Sequence, residues 1–204
     1  MIQKIISKFR LDKNFLKSSF IVFVGSFLVS ILNYLFRAIS GRLLGPVDYG
    51  IIGFLVSIIM FFTVFSISID NVVTKFTSEA IAKNKKERIN FIYQILSRYS
   101  IYIGLIIAIL LYAFSGYIGT WFKVNSIYIK YLSMAFLVIF TNSVARGIIR
   151  GRQRFGLFVG INILESISKI IIFLVLFYLG LELSGAVFGL VGSIFITYIL
   201  TRFI

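Results

Sequence analysis

Tyr99–Phe122 reads YSIYIGLIIAILLYAFSGYIGTWF, 24 residues without a charge or a proline. A helix needs about 20 mostly apolar residues to cross the hydrocarbon core of a bilayer. A spanning segment must also close its backbone hydrogen bonds on itself, which a helix does. This stretch therefore predicts a transmembrane helix, and the same test works outward along the chain. Uncharged intervals recur at 18–36 (19 residues), 49–69 (21), 131–145 (15) and 183–201 (19). The 131–145 interval reaches full length if Lys130 snorkels to the interface. Residues 155–181 form an apolar stretch of 27, broken only by Glu165 and Lys169. Six transmembrane helices are expected, at roughly 18–39, 50–71, 93–115, 128–148, 157–179 and 184–203.

Composition agrees. Of 204 residues, 59% are hydrophobic and 14% charged, where a globular domain carries about 25% charge. The fold class is therefore all-α and integral to a membrane. The chain has no cysteine and no histidine. That excludes a disulfide framework and thiolate metal sites, and removes the commonest general base. No Walker motif, GxGxxG or paired-carboxylate constellation is present, and the seven carboxylates lie mostly near segment ends. Neither an enzyme nor a cofactor or metal site is expected.

The net charge of +14 sets the orientation. With the N-terminus inside, 16 Lys/Arg fall on the inner side. They cluster before helix 1, around Lys75–Arg98, in Arg146–Arg154 and at Arg202. Outside are four: Arg37, Arg42, Lys123 and Lys130. The positive-inside rule then makes both termini cytoplasmic. These cations face anionic lipid headgroups, so no nucleic acid is needed to explain them. Residues 1–17, with five Lys/Arg, look amphipathic and lack a small-residue cleavage site. They read as a cytoplasmic interfacial segment rather than a signal peptide, leading into a transmembrane lobe over 18–204.

Four helices carry polar residues at depths where lipid tolerates few. Ser26, Ser30, Asn33 and Arg37 fall at i, i+4, i+7 and i+11 of helix 1, a stripe that must meet protein or water. In helix 5, Asn162, Glu165 and Lys169 share a face near mid-span. A lone Lys or Asp there costs ~2.5–3.5 kcal/mol on insertion scales. Glu165 and Lys169, four apart, either neutralise each other or line a water-filled cavity. There Lys169 would meet an anion, and Glu165 would exchange a proton or Na⁺. Asp70 lies near the inner end of helix 2, with Lys75 a poorly placed partner. Asn142 and Arg146 form an i,i+4 pair in helix 4. Gly185, Gly189 and Ser193 in helix 6, and Gly53 and Ser57 in helix 2, are small-residue stripes suited to close packing. Pro46 fixes a turn between helices 1 and 2, and Thr77–Phe91 either lies on the membrane surface or extends helices 2 and 3.

Three stretches together carry a resemblance. GRLLGPVDYGIIGF (Gly41–Phe54), IDNVVTKFTSEAIAKNK (Ile69–Lys85) and RGIIRGRQRFGLFVGINILESISKI (Arg146–Ile170) resemble polysaccharide flippases of the Wzx type. These belong to the multidrug/oligosaccharidyl-lipid/polysaccharide (MOP) exporter superfamily. The resemblance implies one six-helix lobe of a MATE-like transporter, whose two lobes enclose a central cavity that opens alternately to either side. It implies a substrate of lipid-pyrophosphate-linked oligosaccharide, flipped from inner to outer leaflet of the cell membrane for surface-glycan synthesis. On that analogy Arg37, Asn33, Lys169 and Arg146 are substrate-binding candidates, and Glu165 and Asp70 coupling candidates. The chain stops after six helices, so a second six-helix lobe is expected. It would come from the same chain if this is a fragment, or from a second copy. Two other readings stand beside the flippase: a cation-coupled multidrug exporter of the same superfamily, and a non-transporting assembly partner.

Overall fold

The computed structural model describes residues 13–203. Helical hydrogen bonding runs through Lys13–Ala82, but Gly45 (φ 76°, ψ 176°) leaves the helical region. Glycine adopts that conformation without the Cβ penalty of other residues. Pro46 follows at the first position of the next helix, where its missing N–H is not needed. The run is thus two helices, α1 (13–44) and α2 (46–82). Phe36 of α1 and Leu55 of α2 share one buried cluster. Phe36 of α1 and Ile59 of α2 also line one cavity of about 400 Å³, whereas in a straight helix they would be about 34 Å apart, so α2 folds back on α1.

Four more helices follow: α3 (Lys86–Phe122), α4 (Ser126–Gly151), α5 (Phe155–Tyr178) and α6 (Glu182–Arg202). Five helical runs are long and apolar enough to cross a membrane, Leu16–Ala82 being counted as one. Among the described residues there is no strand. The expected interfacial segment lies mostly outside the described residues; its last five are the first turn of α1. Between Thr77 and Phe91 only residues 83–85 leave the helix, so α2 and α3 are extended rather than interrupted. Each is 37 residues, about 55 Å, longer than the ~30 Å hydrocarbon core. Charge ends an apolar interval but not a helix, so charge gaps underestimated both.

α4 is the central helix, packed against α2, α3, α5 and α6. Its Ile129, Leu132, Phe136, Phe140 and Val144 are fully buried. Phe136 meets Phe62 of α2 edge-on (5.1 Å), and Phe173 of α5 meets Phe36 of α1 likewise (5.8 Å). Such pairs add about 0.5–1.5 kcal/mol beyond their buried area.

Small residues set the closest approaches. A Cβ on Gly185 would stand 2.9 Å from Leu176 Cβ, and one on Gly189 2.9 Å from the Lys169 carbonyl oxygen. Ser193 is fully buried. The helix 6 stripe therefore packs on α5, as expected. Gly53 is different: among the described residues, no other helix comes within 4 Å of its Cβ position. A tighter seam joins α4 to α2. A Cβ on Gly147 would stand 2.7 Å from Val73 Cβ, and one on Gly151 2.6 Å from Thr77 Cβ. The Thr74 hydroxyl donates to the Gly147 carbonyl (3.2 Å), and Ser78 to that of Gly151 (3.3 Å).

Candidate functional site

Three polar residues of α4, Asn142, Arg146 and Arg150, form one stripe at i, i+4 and i+8. Each binds a different neighbouring helix. Asn142 accepts a hydrogen bond from Thr201 of α6 (2.8 Å). Arg146 Nη2 donates to Glu165 Oε2 of α5. Arg150 donates to Asp70 of α2 (2.7 Å) and to Asn71 (3.3 Å), with its guanidinium over the Phe158 ring (5.3 Å). A central helix with polar groups must satisfy them from its neighbours, because lipid offers no partner.

Lys169, one turn beyond Glu165, does not take Glu165 as its hydrogen-bonded partner. Its ammonium donates to Asn33 Oδ1 of α1 (2.8 Å) and sits 5.6 Å from the Phe36 ring centroid. The Asn33 amide donates back to Val29 (3.0 Å), which fixes the carbonyl towards Lys169. The sequence allows Glu165 and Lys169 either to pair with each other or to line a cavity; both line a cavity, and each takes an interhelical hydrogen-bond partner. The reason is reach: Arg146 on the facing helix offers a charge-assisted bond of better geometry than a neighbour on the same helix. Thr197 of α6 also donates to Glu165 (3.4 Å). Asp70 likewise takes Arg150 rather than Lys75, with Thr74 donating to it (3.3 Å).

Two adjoining cavities run along these groups. The larger, about 400 Å³, is lined by Asn33, Arg37, Glu165 and Lys169 with Ser30 and Tyr34. The smaller, about 140 Å³, is lined by Asp70, Asn142, Arg146 and Glu165. Ile59, Glu165 and Ile194 belong to both. All six residues singled out in the sequence therefore lie along one polar trough. Arg37 is exposed at its edge. Arg150, Asn71 and Thr197 were not singled out. Arg150 had a signal, since RGIIR repeats the cation four residues after Arg146; Asn71 and Thr197 carried none beyond their polarity.

A family described as polysaccharide biosynthesis protein matches residues 15–204. The chain belongs to that family. No curated protein matches it. Among solved structures, it is similar to an outward-facing multidrug resistance MATE family transporter of the MOP superfamily, at 18% identity and TM-score 0.81. That match covers 94% of this chain and 44% of the transporter. A MOP superfamily transporter from Pyrococcus furiosus, described as having a binding pocket of reverse polarity, is similar at 19% identity and TM-score 0.82, with the same coverage. A MATE structure in complex with MaD3S gives 18% and 0.83, covering 94% of this chain and 45% of that one. The fold is that of MOP superfamily transporters, as the resemblance implied. The chain spans less than half the length of these transporters.

Proposed function

We propose that the chain is one lobe of a membrane transporter that flips a lipid-pyrophosphate-linked oligosaccharide from the inner to the outer leaflet of the cell membrane. Its six spans are α1 to α6, with both termini cytoplasmic. A second six-helix lobe, from the same polypeptide or a second copy, closes the trough into a cavity that opens alternately to either side.

One observation carries the reading: the charge left over in the trough. Three cations (Arg37, Arg146, Lys169) and two carboxylates (Asp70, Glu165) line the two cavities, and a fourth cation, Arg150, reaches Asp70 from outside them. Arg146 and Arg150 are each bonded to a carboxylate. Arg37 and Lys169 have no ion pair within 4 Å among the described residues. The surplus of two positive charges suits a pyrophosphate diester, with Asn33 and Ser30 available to sugar hydroxyls. At Arg146 an incoming anion would compete with Glu165. Coupling to a proton or Na⁺ through Glu165 or Asp70 likewise requires displacing an arginine.

The multidrug reading draws on the MATE structures, whose fold this chain shares. A cationic drug would need a surplus of negative charge, and the trough has the opposite sign. Drug efflux that persists without oligosaccharide supply would favour it.

The decisive test is Lys169→Ala in the complete transporter. A charge-assisted hydrogen bond is worth about 1.5–3 kcal/mol, so polymer export should fall roughly 10- to 100-fold at unchanged protein level. Lys169→Arg should keep part of it. Unchanged export removes Lys169 from the mechanism. Orientation has its own test, helped by the absence of native cysteine. Lys123→Cys should react with a membrane-impermeant maleimide in intact cells, and Lys83→Cys only after permeabilisation. The reverse pattern inverts the topology.

A further inference from the structure

A second set of cations converges at the C-terminal end of α4, on a different face from the Asn142, Arg146 and Arg150 stripe. One groove of about 320 Å³ is lined by Arg152 and Arg154, just after α4, by Arg202 at the end of α6, and by Asn90 and Tyr93 of α3. A second of about 510 Å³ adjoins it through Ile89, Asn90, Arg152 and Arg154 and reaches Asn84. Among the described residues, no carboxylate lines either groove. The nearest acid in sequence is Glu87, exposed one turn before Asn90.

Arg202 is held but not neutralised. It donates to the Tyr93 and Tyr198 hydroxyls, each at 2.8 Å, with its guanidinium 5.1 Å from the Tyr198 ring. Two helices also begin at this end, α3 after Lys85 and α5 after Arg154. Neither has a side-chain cap on its first N–H groups. Uncapped helix N-termini favour anions. One wall of the smaller groove is apolar, built by Ala145, Ile148 and Ile149. Guanidinium forks, free N–H groups and an apolar wall together suit a phosphate carried on a hydrocarbon chain.

We infer that Arg152, Arg154 and Arg202 form a binding site for the phosphate of an anionic phospholipid at the end of the bundle where α4 and α6 terminate. The site is separate from the polar trough and does not depend on what the trough transports. That the lipid belongs to the inner leaflet rests on the orientation proposed above.

The test uses the purified full-length protein in detergent and native mass spectrometry of bound lipid. Phosphatidylglycerol should be retained in preference to phosphatidylcholine. The triple variant Arg152→Gln/Arg154→Gln/Arg202→Gln should bind phosphatidylglycerol about a hundredfold more weakly, with phosphatidylcholine unchanged. A charge-matched control, Lys75→Gln/Lys83→Gln/Arg98→Gln, removes three exposed cations outside the grooves and should leave binding intact. Should the triple variant fail to purify, Arg154→Gln alone should weaken binding about fivefold. Equal loss in both triple variants overturns the site in favour of diffuse charge. So does no lipid preference, or binding insensitive to the three arginines. Displacement of the lipid by millimolar inorganic phosphate would overturn the lipid assignment and leave a site for free phosphate. Failure of the Lys169 export test leaves all of these readouts intact, so the two proposals fail separately.

Discussion

Glu165→Ala should destabilise the folded protein by about 3 kcal/mol, and Arg146→Ala by a similar amount. The double variant should cost clearly less than their sum. Both side chains are about three-quarters out of contact with solvent, at 25% and 23% exposure. Removing one leaves the other charged, inside a helix bundle, without its ion-pair partner. Arg146 is the harder to strand, because its Nε already lacks a hydrogen-bond partner. The loss of Glu165 would also place Arg146 beside Lys169 and Arg37 with no carboxylate between them. Removing both charges together avoids this, which is why the two effects should not add. Thermal unfolding in detergent measures each leg of the cycle. A second cycle, Glu165→Ala with Lys169→Ala, should show weaker coupling, since Lys169 is bonded to Asn33. Strong coupling to Lys169 and none to Arg146 would restore the pair within helix 5 and refute the interhelical one.

The contrast between those two cycles marks where the sequence was legible. Spans were readable because lipid imposes one rule on every residue at depth, and a charge gap measures compliance with it. Polar residues at depth were readable for the same reason, which is why Asn33, Arg37, Asp70, Arg146, Glu165 and Lys169 all fall along one trough. Their partners were not. Spacing reports neighbours on one helix, so Glu165 pointed to Lys169 and Asp70 to Lys75. The pairs that form cross between helices 19 and 80 residues apart in sequence. Nothing local encodes the facing of two helices, which packing decides. Helix lengths were legible only to the edge of the hydrocarbon. Beyond it α2 and α3 continue on charged residues, which water supports as readily as lipid supports leucine.

The Gly147–Gly151 seam is written in the sequence as GIIRG, with the four-residue spacing of the helix 6 stripe. The seam makes a strong demand of its own. Gly147→Leu should abolish folded protein in the membrane, and Gly147→Ala should cost about 1–3 kcal/mol. The obstacle to even one methyl group is partly backbone: its Cβ would stand 2.8 Å from the Asp70 carbonyl oxygen as well as 2.7 Å from Val73 Cβ. A side-chain end can rotate away, but a helix carbonyl cannot, so α4 and α2 must part. Parting them also stretches the Arg150–Asp70 bond and the Thr74 and Ser78 hydroxyl bonds to α4 carbonyls. One substitution thus opens the helix pair that carries the lower trough. Gly160→Ala in α5 is the matched control, because no atom lies within 4 Å of its Cβ position. There alanine should be neutral or stabilise by up to about 1 kcal/mol through helix propensity. Protein level in membranes and unfolding temperature in detergent distinguish the two sites. Equal tolerance at both would mean that α4 does not approach α2 this closely, and that Arg150 reaches Asp70 across a wider gap.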